Sequence, residues 1–68
     1  MLSPSAQALD ACIPRLGGVV AVAAMAGISP GYLSKLRNGR KKGPSLEVAM
    51  RLFRLDRRIR VTGWRVPA

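Results

Sequence analysis

Apolar residues fall into four segments along this chain, separated by Gly and Pro. In the first, Ala6, Leu9, Ile13 and Leu16 recur at helical spacing after Ser3-Pro4. That opening reads as a Ser cap followed by a Pro whose missing N–H costs nothing in a first turn. Pro14 biases Ile13 away from helix, so this helix is expected to end or kink there, and Gly17-Gly18 breaks it. The second segment, Val19 to Ala26, is wholly apolar, so periodicity cannot decide between strand and helix. Its Ala content and the Gly27 stop argue for a short helix, against three Val that a strand would tolerate. A third helix opens with Ser29 as cap and Pro30 as first residue, and Asn38-Gly39 closes it in left-handed fashion. After the basic loop Arg40-Lys41-Lys42-Gly43, Pro44-Ser45 starts a fourth. Its apolar face is expected to hold Leu46, Ala49, Met50 and Phe53, widened by Val48, Leu52 and Leu55. Leu33, Leu36, Leu46, Phe53 and Leu55 are accordingly assigned to the core. Glu47, Arg51, Arg54 and Arg58 take the opposite side, with Glu47 and Arg51 paired at i, i+4. From Arg58 to Thr62 the alternation suits an edge strand until Gly63 breaks it; a short fifth helix is the other reading.

Two short helices joined by a tight turn can cross steeply only if particular positions cooperate. The first needs a small residue at the crossing, which Ala23 supplies, with Val22 and Ala26 completing its inner face. The turn needs a residue that tolerates positive φ, and Gly27 does so without steric cost. Ile28 plugs the angle, and Leu33 and Leu36 point inward from the second helix at i and i+3. All these demands are met in register between Val19 and Asn38.

The run Ala23…Gly27-Ile28-Ser29-Pro30…Tyr32-Leu33-Ser34-Lys35-Leu36…Asn38-Gly39-Arg40, followed by Pro44-Ser45-Leu46-Glu47-Val48-Ala49, resembles the lambda repressor and Cro family of helix-turn-helix regulators. The resemblance covers about Gly18 to Leu55, and the Gly17-Gly18 break is similar to short Cro-like and antitoxin-like members. It implies a compact all-α bundle of four or five helices and a transcription regulator that binds duplex DNA, typically as a homodimer. It also makes Pro30 to Asn38 the recognition helix in the major groove, with Tyr32, Ser34, Lys35, Arg37 and Asn38 outward. Lys35 is then the leading base contact, because Lys can donate to guanine O6 and N7, with Ser34 and Asn38 beside it. Tyr32 and Arg37 are implied backbone contacts. Arg40, Lys41 and Lys42 lie where the family touches phosphate, and the backbone N–H groups near Gly18 and Val19 offer a further phosphate site. Two departures stand out. Pro30 and Gly31, early in the recognition helix, carry no donor side chain, which leaves either a narrow specificity or one that rests on DNA shape. The outer face of Val19–Ala26 has no polar residue and is expected to be buried, against the N-terminal helix or a partner.

Charge sharpens this picture. The chain has 68 residues and a net charge of +9. Up to Ser34 the only charged side chains are Asp10 and Arg15, which cancel; the entire excess lies from Lys35 onward, as expected for a protein meeting a polyanion. Arg51, Arg54, Arg57, Arg58 and Arg60 form either a solvated basic face or further DNA contacts. Cys12 is alone and His is absent, so an internal disulfide and a zinc site are excluded. Ser34 has no His to activate it, and the three carboxylates Asp10, Glu47 and Asp56 are widely spread; no enzyme and no cofactor is expected. Leu16 to Ile28 is too short to span a bilayer, which takes about 20 residues, and the N-terminus lacks the basic region of a signal peptide. The expectation is a single domain over residues 1–68, acting in the cytoplasm at the bacterial nucleoid, with motif 19–38 and a tail 57–68 of open structure. Trp64 is expected to pack, on the core or across a dimer, in preference to stacking on a base. The leading function is a small phage-type repressor binding a pseudo-palindromic operator as a dimer. Against it stand an antitoxin or antirepressor-type protein-interaction module, with Val19–Ala26 or the tail as its surface, and a membrane-active peptide, which the Gly and Pro breaks oppose.

Overall fold

The structure, a computed structural model, describes residues 2–39 and 43–64. Four helices follow one another: α1 (Pro4–Cys12), α2 (Val19–Ala26), α3 (Pro30–Arg37) and α4 (Leu46–Leu55), with a 3-10 turn, Pro14–Leu16, after α1. The fold is all-α, with no strand among the described residues.

Local rules explain most boundaries. Ser3, Ser29 and Ser45 cap α1, α3 and α4 through their hydroxyls, accepting from the N–H of Ala6, Tyr32 and Val48. Helix α1 ends just before Pro14, as expected, but Ile13 itself is not pushed out of the helical region. Ile13 stays in the right-handed helical region (φ −53°, ψ −50°), and the chain tightens into the 3-10 turn before Gly17 and Gly18 reverse it at positive φ. The ring of a proline disfavours helical backbone in the residue before it without forbidding it, and the Leu16 and Gly18 N–H groups, donating to the Ile13 carbonyl at 3.2 and 2.9 Å, hold Ile13 there.

The core sits where α1, α2 and α3 meet, with α4 laid against α2. Leu9, Cys12, Val22, Ala26, Leu33 and Leu52 are fully buried and Leu36 and Ala23 nearly so. The core face of α4 departs from expectation. Ala49 and Leu52 are buried and Val48 and Leu55 half-buried, whereas Leu46, Met50 and Phe53 are exposed at 68%, 43% and 36%. The apolar arc of α4 is wider than the core it packs on, and the half centred on Leu52 is the half covered. The outer face of α2 is likewise uncovered within the chain: Val20 is 71% and Met25 48% exposed, so α1 does not bury it, and of the two expected covers a partner is the one left.

The tail is neither strand nor fifth helix as far as Trp64. Asp56 ends α4, accepts from the Arg58 N–H through Oδ1 at 2.9 Å, and its carbonyl receives the Ile59 N–H at 3.0 Å. Arg58 therefore lies beyond α4 and not on its charged face. The turns bring Ile59 and Trp64 into the core. They are clasped by Ser5, itself fully buried. Its N–H donates to the Gly63 carbonyl at 2.8 Å, and its hydroxyl donates to the Arg60 carbonyl at 2.5 Å. A Cβ at Gly63 would collide with that hydroxyl, so the clasp needs glycine there. Arg15 adds an ion pair to Asp56 at 2.7 Å. Residues 65–68, the end of the expected alternating tail, lie outside the described residues.

Candidate nucleic-acid interface

The axes of α2 and α3 turn through 105° at the break between them. Gly27 makes this corner at φ 71°. Its N–H donates to the Ala24 carbonyl at 3.3 Å and that of Ile28 to the Ala23 carbonyl at 3.0 Å, the paired bonds of a Schellman ending. Ala23 at the crossing is 1% exposed, and Leu33 and Leu36 drive into the same core. The angle falls in the range of helix-turn-helix units, about 90–120°.

A further residue holds the corner. Arg51 of α4 reaches across so that its Nη1 lies 3.4 Å from the Ala26 carbonyl. A Cβ on Gly27 would come within 2.7 Å of the same nitrogen. A cation there satisfies an orphan carbonyl and sits at the negative end of the α2 dipole. Its other nitrogen, Nη2, donates to Glu47 at 2.6 Å, which fixes the guanidinium from behind. Sequence pattern placed Arg51 on the charged side of α4 and found its Glu47 partner. The reach to α2 is a tertiary contact that no spacing announces.

On α3 the outward stripe is narrower than expected. Lys35 and Asn38 are exposed and Ser34 half-buried, and all three lie with Gly31 on the side away from Leu33 and Leu36. Tyr32 and Arg37 lie at the edges of this stripe, both half-buried. Arg37 is ion-paired with Asp10 of α1 at 3.1 Å, so its charge ties α3 to the bundle. Gly18 is also engaged: its N–H donates to the Ile13 carbonyl at 2.9 Å, which leaves Val19 and the next residues as the start of α2 whose N–H groups have no intrahelical acceptor. Arg40, Lys41 and Lys42 lie outside the described residues.

A helix-turn-helix family matches residues 20–57, more than half of the chain and from α2 to just past α4. This chain belongs to the lambda repressor and Cro-like helix-turn-helix family. It is therefore a DNA-binding transcription regulator, of a family that is generally non-enzymatic. No curated protein and no solved structure matches it. Among the described residues, no single helix is long and apolar enough to cross a membrane.

Proposed function

We propose that this protein is a sequence-specific repressor of phage type that occupies a pseudo-palindromic operator as a dimer and excludes polymerase from it. Residues 1–68 act as one domain in this reading, at the bacterial nucleoid in the cytoplasm. The observation that carries it is the stripe of exposed Lys35 and Asn38 with half-buried Ser34 on the outer side of a helix held 105° from its predecessor, in a chain of net charge +9. Lys35 is assigned to a base edge, with Ser34 and Asn38 reading or steadying beside it. Tyr32, Arg37, Arg40, Lys41 and Lys42 are assigned to the DNA backbone, together with the α2 start at Gly18 and Val19, where the Val19 N–H is the donor. Half-sites are expected about one helical turn, roughly 34 Å, apart.

The deciding experiment selects from a pool of random duplexes at fixed salt, with the wild type and Lys35→Ala in parallel. An enriched two-fold motif that changes or disappears in the variant supports base reading through α3. Binding that follows salt alone, with no motif, would falsify sequence-specific regulation. A second reading, an antitoxin or antirepressor-type interaction module, draws on the exposure of Val20 and Met25 on α2. It predicts weak binding without a motif, and loss of partner binding on Val20→Glu.

A further inference from the structure

Helix α4 carries three large apolar side chains that its own core leaves uncovered: Leu46, Met50 and Phe53, 68%, 43% and 36% exposed. Their spacing, i, i+4 and i+7, puts them in one stripe along the helix. The stripe borders the covered half of the same apolar arc at Ala49, so the surface is continuous with the core edge. On the other border stand Glu47 and Arg54, seven positions apart, of opposite sign and on one flank. Glu47 already accepts from Arg51 at 2.6 Å, but a carboxylate has room for a second donor, whereas Arg54 has no ion pair among the described residues.

The pattern reads nearly the same in both directions from Met50: a large aliphatic residue four before it, a large aromatic three after it. Two-fold pairing requires such a surface, because one patch must complement itself. We propose that this stripe is the docking surface for a second copy of the chain, with the two α4 helices antiparallel and the two-fold axis passing beside Met50. Leu46 then packs on the partner's Phe53 and Met50 on the partner's Met50, each contact with Leu46 and Phe53 occurring twice. The same antiparallel register sets Glu47 beside the partner's Arg54, again twice, since residues on one flank meet the like flank of an antiparallel neighbour. A parallel pairing brings that flank against the apolar border at Ala49 and wastes the charges. Three side chains per copy make a small interface, well under the roughly 800 Å² per partner of a standard one, so the dimer dissociates on dilution. This assignment names the surface for the dimer of the repressor reading, but it rests on α4 alone and is tested without DNA.

The experiment is sedimentation equilibrium of the full chain over a range of concentrations up to about millimolar, where even a weak dimer is populated. The wild type is expected to pass from monomer to dimer. Met50→Glu places two carboxylates against each other on the axis and is expected to weaken association by about tenfold or more. Glu47→Arg and Arg54→Glu are each expected to weaken it, and the double reversal to recover most of the loss, an outcome that a folding defect would not produce. Helicity of every variant is followed by circular dichroism. A chain that stays monomeric throughout overturns the proposal. So does a dimer indifferent to Met50→Glu and to both reversals, especially if Val20→Glu dissolves it, since the outer face of α2 would then be the interface. Binding of each variant to a duplex carrying one half-turn of non-specific sequence reports separately on DNA affinity, so failure of the dimer and failure of the DNA reading are told apart.

Discussion

Gly31 is a glycine that the fold does not require. Its φ is not positive, and a Cβ built there meets nothing within 4 Å. A glycine inside a helix is less favourable than alanine by up to about 1 kcal/mol, so its presence on the outward stripe with Lys35 has a local cost and no packing return. Close approach of the α3 backbone to DNA is a use that matches. Gly31→Ala is expected to raise stability in urea by roughly 0.5 kcal/mol and to weaken duplex binding, because a methyl group then holds the helix off the groove. A gain in stability with unchanged affinity would take Gly31 out of the interface. Cys12 makes a different kind of prediction. Burial pushes its thiol pKa up, the Asp56 carboxylate adds to this, and Arg15 opposes it. The folded protein therefore prefers the neutral thiol. That contribution is complete below the unfolded thiol pKa of about 8.5 and is lost as pH rises through the higher folded value. The melting temperature of the wild type is expected to fall more steeply above that pH than that of Cys12→Ala. Parallel slopes would show that the thiol does not ionise on unfolding.

At the level of the elements, the α2–α3 corner depends on two residues that act together. Gly27→Ala puts a Cβ at φ 71° and into the space of the Arg51 guanidinium. The backbone cost is about 1–2 kcal/mol, and the displaced guanidinium is a flexible end that moves at little further cost. Arg51→Met removes the cation from the α2 terminus while keeping an apolar stem, and is expected to cost about 0.5 kcal/mol, since the group is largely exposed. In a urea double-mutant cycle the two together should cost less than their sum, because Gly27→Ala already displaces Arg51; strict additivity would mean that the 3.4 Å contact contributes nothing. Helix limits and this corner were legible in the sequence because their causes are local: Ser caps, Pro at first positions, Gly where φ must be positive. The covered side of α4 was not. Its apolar arc runs from Leu55 through Leu52 to Leu46 and Met50, and periodicity locates the arc without saying which part meets α2. Helical spacing groups Leu46, Met50 and Phe53 with Ala49 on one apolar face, and only Ala49 of the four is buried. Spacing places Arg51 on the charged face of α4, and its contact with Ala26 was not legible because it belongs to packing between elements. On α3 the stripe of Ser34, Lys35 and Asn38 followed from the period, while the pairing of Arg37 with Asp10 needed the position of α1.

The described fold is closed by the contact of α1 with the turns after α4. Alternation from Arg58 to Thr62 suits a strand, but a strand needs a neighbour, and here the Arg58 and Ile59 N–H groups go to Asp56 and the Arg60 carbonyl accepts from Ser5. Nothing near Ser5 in sequence marks it as the recipient of a tail, and a buried serine reads as a small core residue until its partner is known. That clasp joins positions 55 apart in sequence, whereas the bonds of the Gly27 corner join residues three and five apart. Closing so long a loop costs entropy before any contact repays it, so the corner can form early and the clasp late on the way to the native state. Ser5→Ala is then expected to accelerate unfolding in stopped-flow denaturant jumps while leaving the refolding rate nearly unchanged; a slowed refolding limb would place the clasp in the folding nucleus instead. The order of events bears on how this protein meets a polyelectrolyte during its own synthesis. The corner between α2 and α3 takes shape from residues made before the turns that follow α4, and those later turns lock it in place.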